Sequence, residues 1–299
     1  MIVSHLKIWT QACRPRTLPA AVAPVVIGTA MAGGDGVYHL PTAFLALLGA
    51  VTIQIGTNLA NDYFDFKKGA DTAERTGPVR VTQAGLIPPQ SVMCAFILAF
   101  SLAAFITVWL TLRAGWPIAA IGIMGILAGI FYTGGPWPFG YKGLGEIFVF
   151  FFFGPAATAG TYYVQSLELN AAVILAWAAP GLLSAAILTV NNLRDIETDR
   201  KAGKRTLAVR FGISFARAEY YLLIVAASFV PVVIYAMIQD HIEILFSALI
   251  PIFALPGVRA VFSHGDGPAL NRALADTGTL LFLYSILFSF GWIYADLKF

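Results

Sequence analysis

An all-α fold, a polytopic membrane bundle of nine transmembrane helices with Asp-rich loops on one face, is the architecture this sequence predicts, from three observations. Apolar residues make up 58% of the chain and mean hydropathy is +0.76, well above the roughly 45–50% apolar share of a soluble domain. They fall in continuous runs near the roughly 20 residues that a helical span requires, at about 17–33, 41–60, 91–112, 116–133, 144–164, 170–192, 218–238, 242–262 and 276–295. With the N-terminus on the cytoplasmic side, 17 of the 19 Lys and Arg lie on the inner face and only Arg113 and Lys298 fall outside, the asymmetry that orients membrane proteins. Adding or removing one span scrambles that partition, so count and orientation support each other. All 299 residues read as a single transmembrane domain.

The runs are helices rather than barrel strands, because barrel strands alternate apolar and polar residues over about 10 positions. Helices then satisfy the backbone in lipid. The N-terminus has few charges before Arg14 and no A-x-A pattern, so the first span is expected to be retained. Outer loops are short: GGDGVYH, RAG, SLEL and QDH. Inner loops are longer, at about 61–90 and 193–217, with Gly- and Pro-bearing turns at 134–143 and 263–275. An elaborated face is where a rigid bundle carries its function. The net charge of +3 reports this topology and implies no nucleic-acid partner. Cys13 and Cys94 form no spaced pair and read as packing residues. The four histidines are scattered, which argues against a histidine metal cluster. Gly125 and Gly129 read as a helix-packing pair.

The two long inner loops resemble each other. NLANDYFDFKKGAD places Asn61, Asp65 and Asp71 as N-x3-D-x5-D, and NNLRDIETD places Asn191, Asp195 and Asp199 as N-x3-D-x3-D. Four helices separate them, as in an internal duplication. Residues four apart share a helix face, so each motif aims oxygen ligands one way at the cytoplasmic end of its helix. Asp71, six residues past Asp65, would point about 240° away on a continuous helix. Gly69 predicts that the helix ends near KKG and the chain turns back. Asp62 lies on another face from Asn61 and Asp65 and reads as structural.

Clustered carboxylates at this depth repel one another and cost several kcal/mol unless compensated. Mg2+ compensates them while binding one or two carboxylates and substrate phosphate oxygens. Two facing motifs predict two ions bridged by a diphosphate, with Lys67, Lys68, Arg75, Arg80, Lys142, Lys201, Lys204 and Arg205 adding positive charge. For Lys67, Arg75, Arg200 or Arg217 singly, a solvated orientation-setting face explains the charge equally well. It does not explain Asn and Asp repeated at helical spacing. An apolar bundle with a diphosphate site at one end suits a prenyl diphosphate, whose allylic cation needs a dry, electron-rich pocket. Phe64, Phe131, Tyr132, Trp137, Tyr162 and Tyr163 are candidates to line it, against core or lipid-facing packing for any one of them.

The same residues carry a family resemblance. The chain resembles the UbiA superfamily of membrane prenyltransferases, and within it the branch acting on 1,4-dihydroxy-2-naphthoate in menaquinone biosynthesis. The matching stretches are ACRPRTLPAAVAPVVIGTA, NLANDYFDFKKGAD, TGPVR, YTGGPWPFGYKGLGEIFVFFFFGP and NNLRDIETDRKAGKRTLAVRFG. They run from Cys13 to Gly212, and the last third adds only hydropathy. The wider superfamily places its second aspartate four residues after the first, where this chain has Gly69; the naphthoate branch uses a spacing of six. The resemblance implies Mg2+ and diphosphate roles for Asn61, Asp65, Asp71, Asn191, Asp195 and Asp199. It implies diphosphate or aromatic-acid contacts for Arg14, Arg80, Lys142 and Lys204, with Lys142 also at the catalytic centre.

The implied reaction joins a polyprenyl diphosphate to 1,4-dihydroxy-2-naphthoate with loss of CO2 and pyrophosphate, giving demethylmenaquinol. The implied setting is the inner (cytoplasmic) membrane, in contact with lipid. Homogentisate or 4-hydroxybenzoate as acceptor, a divalent-cation transporter and a non-catalytic prenol-binding protein remain the alternatives at this point.

Overall fold

Proline and glycine punctuate the apolar runs, and the helices start and stop at them. The computed structural model describes residues 2–70, 77–263 and 267–296; Asp71 and Arg75 lie outside the described residues. Helix α1 (Ile2–Cys13) leads through a short turn into α2 (Leu18–Gly34), followed by α3 (Leu40–Lys67), α4 (Pro89–Ala114) and α5 (Trp116–Phe131). Next come α6 (Gly145–Phe151) and α7 (Gly160–Ser166), then α8 (Ala171–Ala176), α9 (Ala178–Arg194), α10 (Ile196–Lys201) and α11 (Leu207–Phe211). Helices α12 (Ile213–Ile238), α13 (Ile250–Ser263) and α14 (Gly267–Asp296) complete the chain. Eight helical stretches are long and apolar enough to cross a membrane, among the described residues. Helix α5 is the ninth apolar helix, but its 16 residues reach only about 24 Å against a hydrocarbon core of about 30 Å.

Two boundaries differ from the hydropathy reading for physical reasons. Helix α3 runs past its apolar stretch to Lys67, because Asn61 and Asp65 are stabilised by partners inside the bundle rather than by water. Helices α6 and α7 join through a π-helical turn at Phe152–Ala159 containing Pro155, since proline has no N–H to donate to the α-helical ladder.

The three core clusters leave a space between them. The largest joins α2, α8, α9, α12 and α14 through side chains such as Ile27, Leu183, Tyr220 and Phe288. A second packs α3 on α4 around Leu59, Phe96 and Phe100. A third, of Ile106, Leu110, Ala114, Ile118 and Val164, lies at the end remote from the acidic motifs. Helices α6 and α9 touch backbone to backbone: a Cβ on Gly181 would stand 2.7 Å from the Phe150 carbonyl oxygen. Gly129 packs closely on Thr57 and Phe100, Gly125 stands at ordinary contact distance from Ile53 and Phe152, and both border the interior space.

The remote end is tied by Asp35. Tyr162 Oη donates to its Oδ2 at 2.6 Å, Asn170 Nδ2 to the same oxygen at 2.8 Å, and Trp292 Nε1 to Oδ1 at 3.2 Å. These bonds join the ends of α2, α7, α8 and α14.

Candidate active site

Both acidic motifs end their helices in the same way. Ala70 N–H donates to the Asp65 carbonyl at 2.9 Å and Gly69 N–H to that of Phe66 at 3.0 Å. Lys204 N–H donates to the Asp199 carbonyl at 2.8 Å and Gly203 N–H to that of Arg200 at 3.2 Å. Gly69 and Gly203 have φ of 66° and 73°, the left-handed conformation that such a helix stop requires and glycine adopts without steric cost. The expected helix end at KKG is therefore present. By this register Asp65 corresponds to Asp199, one turn later than the sequence repeat suggests. In the second motif the chain kinks at Asp195 (φ −96°, ψ 10°) between α9 and α10.

The side chains converge on a cavity of about 350 Å³. Its polar end is lined by Arg14, Asn61, Asp65, Arg80, Asn191, Asp195, Asp199 and Lys204. Asp65 is 1% exposed, so its charge needs partners. Tyr141 Oη donates to Oδ1 at 2.7 Å, Lys204 Nζ donates to Oδ2 at 3.2 Å, and Arg80 approaches Oδ2 at 3.6 Å. Lys204 also stands 3.8 Å from Asp199 Oδ1, bridging the motifs, and 4.8 Å above the Tyr141 ring. Asn61 Oδ1 accepts from Thr133 Oγ1 at 2.9 Å. Asp195 is gripped through both oxygens by Arg194, at 2.8 and 2.6 Å.

Arg14 reaches the cavity from a left-handed residue, φ 53° and ψ 68°, between α1 and the turn before α2. That conformation costs about 1–2 kcal/mol for a side-chain-bearing residue. Asn58 holds the turn, with Nδ2 donating to the Cys13 carbonyl at 3.1 Å and its own carbonyl accepting from Arg14 at 3.3 Å.

The Lys68 amine, outside the spans, has a shifted proton affinity. Burial lowers the pKa of the Lys68 amine; Asp65 opposes that shift and Lys204 adds to it. Lys68 donates to the Thr133 carbonyl at 2.5 Å. Tyr132 lines the cavity.

The remaining candidates divide. Lys142 is exposed and is not among the cavity-lining residues; its carbonyl accepts from Arg210 at 2.6 Å. Asp62 is buried and does not line the cavity. Of the six candidate aromatics only Tyr132 lines it: Phe131 and Trp137 are exposed, Phe64 packs on Tyr63 and Phe96, Tyr162 holds Asp35, and Tyr163 packs in the remote cluster. Sequence reasoning missed Phe139, Tyr141, Phe148, Phe152 and Phe153, which line it instead. The quoted stretch FGYKGLGEIFVFFFFGP contains all five, but only the chain's path shows which point inward.

From the polar end the cavity follows one face of α3, past Thr57, Ile53, Ala50 and Gly49 to Ala46, and reaches Leu110, Ile118 and Val164. Asp65 to Ala46 is about 28 Å at 1.5 Å per helical residue, nearly a membrane's thickness. The cavity has a charged head and a long apolar tail.

Among the described residues, no three His, Cys, Asp or Glu side chains form a ready metal cage. The polar end nonetheless fits magnesium by its chemistry. It offers only hard oxygen ligands, from carboxylates and amides, and Mg2+ completes its shell with water and phosphate oxygens.

The UbiA prenyltransferase family model matches residues 21–295. The 1,4-dihydroxy-2-naphthoate octaprenyltransferase of Mycobacterium tuberculosis is 39% identical over 278 residues, 93% of this chain and 94% of that protein. The enzyme of the same name from Haemophilus influenzae is 37% identical over 305 residues, 97% of each. A solved UbiA homolog from Archaeoglobus fulgidus, bound to GPP and Mg2+, superposes with a TM-score of 0.68 at 19% identity, over 96% of this chain and 99% of that one.

Proposed function

Since the chain belongs to the UbiA prenyltransferase family, we propose that it transfers a polyprenyl group from its diphosphate to 1,4-dihydroxy-2-naphthoate, releasing pyrophosphate and CO2 and giving demethylmenaquinol. The observation that carries this reading is the single cavity with Asp65, Asp195, Asp199, Arg14, Arg80 and Lys204 at one end and an apolar channel along α3 behind them. It matches an amphipathic donor, a charged head on a hydrocarbon tail. The naphthoate acceptor is supported by the named activity of the relatives at 37–39% identity.

In this reading Asn61, Asp65, Asn191, Asp195 and Asp199 hold Mg2+, two ions in all, with Asp71 completing the first motif. The chemistry supplied when magnesium is bound is electrostatic, stabilising the charge on departing pyrophosphate. Arg14, Arg80 and Lys204 bind phosphate oxygens, and Tyr141 fixes the Asp65 carboxylate. Lys142, beside Tyr141 but exposed, meets the diphosphate from the rim. The apolar channel excludes water from the allylic cation, and the rings of Phe139, Phe148 and Phe152 supply electron-rich walls for it. The ring hydroxyls make the carboxyl-bearing carbon nucleophilic. Its bond to the prenyl carbon forms, its bond to the carboxylate breaks, and departing CO2 leaves the electron pair that restores aromaticity.

The polar end opens to the cytoplasm in this topology, with the N-terminus on the same side of the inner membrane. A cation-transport role lacks comparable support, because apolar residues crowd the far end of the cavity. The test is a panel: purified protein, Mg2+ and farnesyl diphosphate with 1,4-dihydroxy-2-naphthoate, homogentisate or 4-hydroxybenzoate. Turnover of the naphthoate alone is expected. Turnover of hydroxybenzoate but not naphthoate would overturn the acceptor assignment.

A further inference from the structure

The last third of the chain offers little chemistry in its sequence, yet α14 reaches the second acidic motif. Arg194, at the end of α9, has a side chain only 2% exposed. Its Nε donates to Asp195 Oδ1 at 2.8 Å, and one terminal nitrogen donates to Asp195 Oδ2 at 2.6 Å and to Asn191 Oδ1 at 2.7 Å. The other terminal nitrogen donates to Asn271 Oδ1 on α14 at 2.9 Å. Adjacent residues of a regular helix do not face each other, so the grip of Arg194 on Asp195 depends on the kink at Asp195.

Asn191 and Asp195 line the cavity, whereas Arg194 and Asn271 are not among its lining residues. The guanidinium therefore holds both oxygen ligands from the protein side. The first motif is arranged differently, since Tyr141, Lys204 and Arg80 all line the cavity beside Asp65. The planar five-donor fork is suited to setting two acceptors in one orientation, which a lysine point charge does not do.

We propose that Arg194, held by Asn271, is the positioning pair that presets Asn191 and Asp195 for a divalent cation, so that the C-terminal helix tunes metal affinity in the second motif. This rests on the metal-diphosphate reading above. Outer partners that orient metal ligands typically contribute about 10–100-fold to affinity.

The test is direct Mn2+ binding to the full-length purified protein with diphosphate present, followed by electron paramagnetic resonance. Asn271→Leu should weaken binding by about tenfold or more. Asn271→Asp, which keeps the accepting oxygen, should stay within a few-fold of the unaltered chain. In turnover, Asn271→Leu should raise the Mg2+ needed for half-maximal rate, with kcat recovering at saturating Mg2+. A purely structural role would lower kcat and leave the metal requirement unchanged. If Asn271→Leu does not yield folded protein, Asn271→Ser carries the same expectation, because its hydroxyl is too short to reach Arg194. Unchanged Mn2+ affinity in these variants overturns the pair's role while the metal reading stands. Absence of Mn2+ binding by the unaltered chain overturns both.

Discussion

Lys204 Nζ lies 3.2 Å from Asp65 Oδ2, joining two helix ends 139 residues apart in the chain. The same amine stands 3.8 Å from Asp199 Oδ1, so one cation pairs with both acidic motifs. An internal cation thus offsets part of the carboxylate repulsion that the sequence implies.

Removing Asp65 separates its role at the site from its role in folding. Asp65→Asn keeps the shape and Asp65→Ala does not, but both remove the charge. Turnover in either should fall by about 10²-fold or more. Both variants leave Lys204 with Asp199 as its carboxylate partner, and Asp65→Ala in addition removes the acceptor of the Tyr141 hydroxyl, a further stability loss of about 1–3 kcal/mol. Initial rates at saturating Mg2+ and thermal unfolding in detergent check the two effects; near-normal rates count against the assignment.

Tyr141 and Lys142 are neighbours with different surroundings. Tyr141→Phe removes a hydrogen bond to a charged acceptor, about 1.5–3 kcal/mol, and should lower kcat/KM by about tenfold or more. Lys142→Ala removes a solvent-screened rim contact to the diphosphate and should cost less, about fivefold or under. Steady-state kinetics on both variants test this order, and the reverse order contradicts the placement.

Gly125 faces the apolar channel, where a Cβ would stand 3.5 Å from Ile53 Cδ1. Gly125→Leu should therefore fold and obstruct the tail. The ratio of kcat/KM for short to long prenyl diphosphates should rise by about tenfold. An unchanged ratio across geranyl, farnesyl and geranylgeranyl donors would mean that the tail lies elsewhere.

Chelation should separate chemistry from stability. Because Lys204 and Arg194 already pair the carboxylates, EDTA should abolish turnover and leave the helical circular dichroism intact, unlike a structural metal site. Added Mg2+ should restore the rate. Loss of helical signal, or turnover that resists EDTA, argues against this account.

The remote tie is a control. Asp35→Ala strands the donors of Tyr162, Asn170 and Trp292 and should cost about 1–3 kcal/mol, read as a lower unfolding temperature. The Mg2+ requirement should not move.

The spans and both motifs were legible because helical spacing and hydropathy are local signals. Asn61, Asp65, Asn191, Asp195 and Asp199 line one cavity, as their four-residue steps required. The choice between Tyr141 and Lys142 was not legible, since both sit on a 3-10 turn whose direction is set by its neighbours rather than by periodicity. The kink at Asp195 that lets Arg194 grip its neighbour is not revealed by periodicity. Asn271 is one of several polar residues near the start of a long apolar helix, with Arg272 and Asp276 close by, 77 residues from Arg194, and only tertiary packing joins them. The inward-facing rings were not legible for the same reason: a phenylalanine-rich run says that the wall is aromatic, but not which rings face inward.

The most direct measurement follows the carboxyl carbon. Purified protein is given Mg2+, farnesyl diphosphate and 1,4-dihydroxy-2-naphthoate labelled at its carboxyl group, and released label is compared with prenylated product. The account predicts one CO2 and one pyrophosphate for each prenyl group transferred. Label retained in a prenylated product, or pyrophosphate released without ring prenylation, would contradict it.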